Sequence, residues 1–172
     1  MKSIKFFSIV LSFMLILLPS CFDDNNKNDY SEWKTLNDQY IINAEIQSED
    51  GHLVYQKVVP VWDRSLYILM QWHNDRSENV NTLNPLSNST VTLNYTLTNI
   101  EGDTLDQGAS FSCKPNAMIT GFCTAVTNMN VNDTVTAVVP YTAGYGIYGS
   151  GRVPPFSTLI FGIRLKEINK LY

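Results

Sequence analysis

The chain has 172 residues, 12 basic against 16 acidic, a formal net charge of −4 and 44% hydrophobic residues. That supplies one domain with a real core, and the acidic balance argues against nucleic-acid binding, which needs a basic face. His52 and His73 are the only histidines, lie far apart with no Cys or carboxylate spacing around them, and read as surface residues rather than metal ligands.

Lys2 and Lys5 precede an apolar run from Phe6 to Leu18, followed by Leu18-Pro19-Ser20-Cys21. A basic start, an apolar stretch too short to span a bilayer and a small residue before the cut make an export signal. The last four residues resemble a bacterial lipobox, which would make Cys21 a lipidated first residue; with ordinary cleavage Cys21 is lost or left free. Loss of Lys2 and Lys5 leaves 10 basic residues against 16 acidic, a net −6. Phe22 to Asp29 is polar and reads as a tether, and its early acidic residues resemble surface-export signals, so the protein is expected at the cell envelope, on the outer membrane.

Trp33, Leu36 and Tyr40 at i, i+3, i+7 predict a short amphipathic helix with Ser31 as N-cap. Strand-like runs follow at Leu53–Val61 and Leu66–Trp72, then a long polar loop from Asn74 to Asn88. Val91, Leu93, Tyr95 and Leu97 alternate with threonines and Asn94 in a half-buried strand, turned by Glu101-Gly102-Asp103. Asp106 to Gly108 reads as a loop and Phe111–Cys113 as a short strand. Ile119, Phe122, Val126 and Met129 mark one side of a short helix, with Gly121 where a backbone approaches closely, and Asn132-Asp133 closes it. Strands are read at Val135–Pro140 and Ser157–Leu165; in the latter Leu159, Phe161, Ile163 and Leu165 share one face and Thr158, Gly162, Arg164 and Lys166 the other. Cys113 and Cys123 are either a disulfide or two buried thiols. The order of elements gives an antiparallel α+β domain.

Between the last two strands lies a glycine- and tyrosine-rich loop. Gly144-Tyr145-Gly146-Ile147-Tyr148-Gly149 fits G-x-G-x-x-G, but Pro154 and Pro155 follow where a nucleotide fingerprint requires a helix, and no Lys completes a P-loop. An aromatic loop between two strands is instead a way to line a small apolar pocket. No nucleophile motif accompanies it.

From Thr90 to Ile168 the residues resemble the FKBP-type peptidyl-prolyl isomerase domain. The likeness runs through V-x-x-x-Y at Val91 and Tyr95, G-x-x-x-D at Gly102 and Asp106, Met118-Ile119-Thr120-Gly121-Phe122, Tyr145-Gly146, and Val153-Pro154-Pro155 leading through Ser157-Thr158-Leu159 to Phe161. It implies a bent antiparallel sheet wrapped around one short α-helix, here with an additional N-terminal helix. On this reading residues 1–20 are the lipoprotein signal, 21–32 the tether, 33–50 an N-terminal helical segment and 51–172 the FKBP-like domain, with Leu53-Val54-Tyr55 as a candidate for the family's first strand. The resemblance implies rotation about an X–Pro amide without cofactor or metal. Tyr145 would donate a hydrogen bond to the substrate backbone and Asp106 would face the twisted carbonyl. Tyr95, Leu105, Met118, Ile119, Phe122, Val153 and Phe161 would wall the proline slot, Phe122 forming its floor. Partners would be proline-containing peptides or unfolded segments, met by a monomer.

The sequence departs from the family pattern in several places. Phe122 stands where Trp is usual, Leu105 where an aromatic is usual, Leu97 for Gly, Gly144 for Ala and Arg152 for a small or apolar residue, and the segment from Asp106 to Met118 is short. Three readings stay open: an envelope-anchored isomerase, a non-catalytic module binding peptide through the same groove or the Asn74–Asn88 loop, and a structural lipoprotein.

Overall fold

The computed structural model describes residues 29–77 and 83–170. The signal segment, Cys21 and most of the tether lie outside them, as do residues 78–82 of the polar loop.

Helix α1 covers Ser31–Ile46. Its buried stripe is Asn37, Ile41 and Ala44, while Leu36 is 50% exposed, so the inward face is rotated from the one that apolar spacing predicts. Ser31 lies inside the helix rather than capping it; Tyr30 holds the cap position without a side-chain capping bond, and Asp29 Oδ1 accepts the Ser31 amide at 3.0 Å. Two short strands follow, β1 (Ser48–Glu49) and β2 (His52–Leu53), joined by Asp50-Gly51 with φ of 49° and 79°. Positive φ at both turn positions is what an Asp-Gly hairpin supplies. Strand β3 is only Gln56–Val58, so the run expected over Leu53–Val61 is broken into short pieces, and Val59, Val61 and Trp62 are exposed. Pro60 has no N–H to continue the ladder.

The remaining strands are β4 (Ile68–Trp72), β5 (Thr90–Thr98), β6 (Thr104–Cys113), β7 (Thr134–Val139) and β8 (Leu159–Lys170). Helix α2 (Thr120–Thr127) lies between β6 and β7. The main sheet has six antiparallel strands in the order β3-β4-β7-β8-β5-β6. The strand beside β7 is therefore β4, and Leu53-Val54-Tyr55 contributes none of the main sheet.

Both faces of the sheet are covered at β4 and β7. Ile68, Met70, Ala137 and Val139 pack with Phe122, Ala125 and Val126 of α2. Leu69 and Val138, paired across the ladder and pointing the other way, pack with Ile41 and Ala44 of α1. This explains the unbroken burial where alternation predicts one wet face. Thr158, expected outside with Gly162 and Arg164, is likewise buried because α1 lies over it. Gly121 seats α2 on the sheet, and what approaches it is a side chain rather than the expected backbone: a Cβ there would fall 2.2 Å from Val139 Cγ1.

Asp106 to Gly108, expected as a loop, belongs to one continuous strand with Phe111. The interruption read from the sequence is a β-bulge: Leu93 pairs with Phe111 and Tyr95 with Gly108, so Asn94 faces both Ala109 and Ser110. Ser110 takes φ 54°, and its amide donates to Asn94 Oδ1 at 2.8 Å.

Candidate active site

The bulge aims two aromatic rings at one place. Tyr95 on β5 crosses its partner strand where Gly108 stands, and a Cβ at Gly108 would lie 2.6 Å from Tyr95 Cε1. Glycine is the residue that lets the ring lie there. From that position the Tyr95 hydroxyl donates to Asp106 Oδ2 at 2.6 Å, while Asp106 Oδ1 accepts the Gln107 amide at 2.8 Å. Burial, then the hydrogen bond to Asp106 and that carboxylate's charge, push the Tyr95 phenol up to about 12. Tyr95 therefore keeps its proton at neutral pH and remains the donor.

Edge-to-face contacts continue from Tyr95 into the core. Its ring lies 5.3 Å from Phe111 and 6.2 Å from Phe122, and Phe122 lies 5.4 Å from Phe161. Phe122, on α2, is fully buried, and Phe161 of β8 is buried beside it. Leu105, Met118, Ile119 and Val153 belong to the same apolar cluster, the first three only partly covered. Tyr95, Leu105, Met118, Ile119, Phe122, Val153 and Phe161 thus share one apolar cluster between α2 and the sheet, and Asp106 joins its edge through the bond from Tyr95. Phe111 is the member that sequence reasoning left out; its alternation with Cys113 on β6 was visible, but the bulge that turns it toward Tyr95 was not.

The long loop from Pro140 to Thr158 forms one rim. It opens with a single 3₁₀ turn, Tyr141–Ala143, and no α-helix follows its glycines, which removes the nucleotide reading. Gly149 (φ 69°) sits where a Cβ would lie 2.3 Å from the Val153 carbonyl oxygen, so the loop folds tightly onto itself. Tyr145 stands on this rim at 36% exposure, close enough to Tyr95 for its charge to help raise that phenol. Its hydroxyl has no hydrogen-bond partner among the described residues. Ile147 and Tyr148 project beside it into solvent.

A groove of about 760 Å³ is lined by Tyr95, Gly108, Thr96, Thr136 and Gly162; Phe122 and Phe161 do not line it. His73, in that groove, shares a hydrogen bond with Thr136 Oγ1 at 2.8 Å, and His52 is exposed on β2. Cys113 and Cys123 are unpaired thiols, both pushed up to about 11 by burial.

A six-stranded antiparallel sheet packed on one short helix, with an aromatic cluster between them, defines the FKBP-like class of fold. Residues 82–166 match the family profile described as FKBP-type peptidyl-prolyl cis-trans isomerase, and over that region the chain is of the FKBP type. It is 34% identical over 89 residues to the FKBP-type 22 kDa peptidyl-prolyl cis-trans isomerase of Escherichia coli (strain K12), a match covering 49% of this chain and 43% of that protein. It is 30% identical over 88 residues to the FKBP-type peptidyl-prolyl cis-trans isomerase FkpA of the same strain, covering 49% of this chain and 33% of that one. The matched region thus spans less than half the length of these two relatives. A crystal structure of a peptidyl-prolyl cis-trans isomerase from Pseudomonas syringae pv. tomato str. DC3000 superposes with a TM-score of 0.68 at 20% identity, over 82% of this chain and 96% of that chain.

Proposed function

We propose that this chain is a peptidyl-prolyl cis-trans isomerase acting on unfolded segments of exported proteins, held at the cell envelope by lipid on Cys21. The observation that carries the catalytic reading is the arrangement at the mouth of the cleft. A fixed Tyr95–Asp106 pair lies at an aromatic-floored slot, with the Tyr145 hydroxyl uncommitted at the rim. The anchoring rests on Leu18-Pro19-Ser20-Cys21 after an apolar run.

Rotation about an X–Pro amide faces a barrier of about 18–20 kcal/mol, set by the double-bond character of the C–N bond. An apolar slot floored by Phe122 and walled by Ile119, Val153 and Phe161 disfavours the charge-separated resonance form that creates that character. In the twisted state the prolyl nitrogen regains a lone pair and the carbonyl becomes ketone-like. A slot that fits the twisted amide better than either planar form lowers the barrier by the difference. Tyr145 donates to the substrate backbone and fixes one side of the rotating bond. Asp106, held by Tyr95 and the Gln107 amide, sets the polarity facing the carbonyl as it turns. Nothing is covalently attached and no net proton is transferred.

The test is NMR exchange on a Leu-Pro model peptide, with the Tyr145→Phe variant alongside. One hydrogen bond contributes about 1 kcal/mol or somewhat more, so kcat/KM should fall about tenfold with the fold unchanged. Absence of catalysed exchange in the parent would refute the isomerase. Peptide binding at the cleft without rate enhancement would assign the non-catalytic reading, which Leu105 in place of an aromatic wall favours.

A further inference from the structure

Helix α1 does more than cover the back of the sheet. Its N-terminal half reaches the segment that closes the cleft loop. Trp33 Nε1 donates to Ser157 Oγ at 3.1 Å, and Ser157 Oγ donates on to the Pro154 carbonyl at 2.7 Å. Asn37 is fully buried; its Oδ1 accepts the Thr158 amide at 2.6 Å while its Nδ2 donates to the Trp33 carbonyl at 2.8 Å. Only one orientation of the amide satisfies both bonds, so the side chain is locked.

The residue between these contacts and the loop is strained. Phe156 takes φ 60°, a left-handed conformation that a bulky side chain rarely adopts. Its ring packs edge-on against Tyr141 at 5.4 Å, over which Lys34 of α1 places its ammonium at 5.6 Å. Its amide donates to the Gly146 carbonyl at 3.0 Å, the residue next to Tyr145. A continuous path of bonds therefore runs from α1 through Ser157 and Thr158 to Phe156, then to Gly146 and Tyr145. It also passes through Pro154, which adjoins the cleft wall residue Val153.

We infer that α1 is a brace for the cleft loop, with Asn37 and Trp33 as positioning residues that hold Tyr145 and Val153 in place for the X–Pro substrate. This builds on the isomerase reading. Neither residue touches the cleft; both act through the strained Phe156 turn, which their bonds over-determine.

The test uses the full chain in three forms: parent, Asn37→Ala and Trp33→Phe. Two readouts are taken, amide hydrogen exchange and Leu-Pro peptide kinetics. In Asn37→Ala the amides of Gly146 and Phe156 should exchange at least about tenfold faster while those of β5 keep the parent's rates. Its kcat/KM should fall about tenfold, mainly through KM, because a loosened rim weakens capture of the peptide. Trp33→Phe keeps the ring but loses the donor, and should move both readouts the same way by about threefold. Unchanged loop exchange in a folded Asn37→Ala protein overturns the brace, as does equal acceleration of every amide, which would mean that α1 only stabilises the fold. Should Asn37→Ala fail to fold, Trp33→Phe decides on the same amides, and parent-like loop exchange there overturns it. A parent without catalysis would instead refute the isomerase reading, and exchange alone would then decide the brace.

Discussion

Replacing Gly121 by alanine sets two effects of opposite sign against each other. Helix propensity favours alanine by at most about 1 kcal/mol near the start of α2. Packing opposes it: the new methyl would lie 2.2 Å from Val139 Cγ1, 2.9 Å from Cγ2 and 3.1 Å from Cβ. Rotating Val139 about χ1 does not clear the space, because Cβ and both methyls crowd the same point and the residue is fully buried. The helix must lift from β7 instead, and overpacking of this kind costs about 1–3 kcal/mol. The balance is a net loss of about 1–2 kcal/mol, a fall of roughly 2–8 °C in Tm for a chain of this size. Ile119 and Phe122 flank Gly121, so the displacement should also lower kcat/KM on a Leu-Pro peptide. Thermal unfolding of Gly121→Ala, Val139→Ala and the double variant is the assay. The double variant should be less destabilised than the two single losses together by about 1–2 kcal/mol, since the second change makes room for the first. A Gly121→Ala protein with a raised Tm would refute the reasoning and place propensity above packing.

Two further predictions concern the cleft and its surroundings. Gly108→Ala should push the Tyr95 ring away, lengthen its hydrogen bond to Asp106 beyond 2.6 Å and lower kcat/KM several-fold with little change in Tm; parent-like kinetics would show that the pair has no part in turnover. Cys113 and Cys123 hold their thiol protons up to about 11 where a free thiol titrates at 9.0, so the unfolded chain releases protons first as pH rises. Stability is then fully present below about pH 9 and declines from there toward 11; urea midpoints should follow that course and the slope should shrink in Cys123→Ala, whereas a flat profile would refute it.

The strands that carry the cleft were legible because their apolar residues alternate. Leu159, Phe161, Ile163 and Leu165 do face the core, and Val91, Leu93 and Leu97 do likewise. What period-two reading missed was the bulge at Ser110, since an extra residue breaks the alternation and looks like a loop. The face of α1 was misjudged for a different reason. Its central buried residue is Asn37, which contributes nothing to an apolar pattern and is explained only by a backbone amide at Thr158, 121 positions away. Thr158 was placed outside by the same logic in reverse. Polar residues buried by long-range hydrogen bonds leave no local signal, and Phe111 went unplaced because the shortened stretch before Met118 hid its register.

That separation has a bearing on the order in which the molecule is assembled. Helix α1 is made long before β8, yet its bonds to Ser157 and Thr158 span 124 and 121 positions. A single 16-residue helix is marginal in water. During synthesis α1 therefore emerges without the surface that stabilises it, and docks only once the chain has been made through Thr158. Tightening of the loop around Tyr145 belongs to that same late step, which makes the cleft a checkpoint on completed folding.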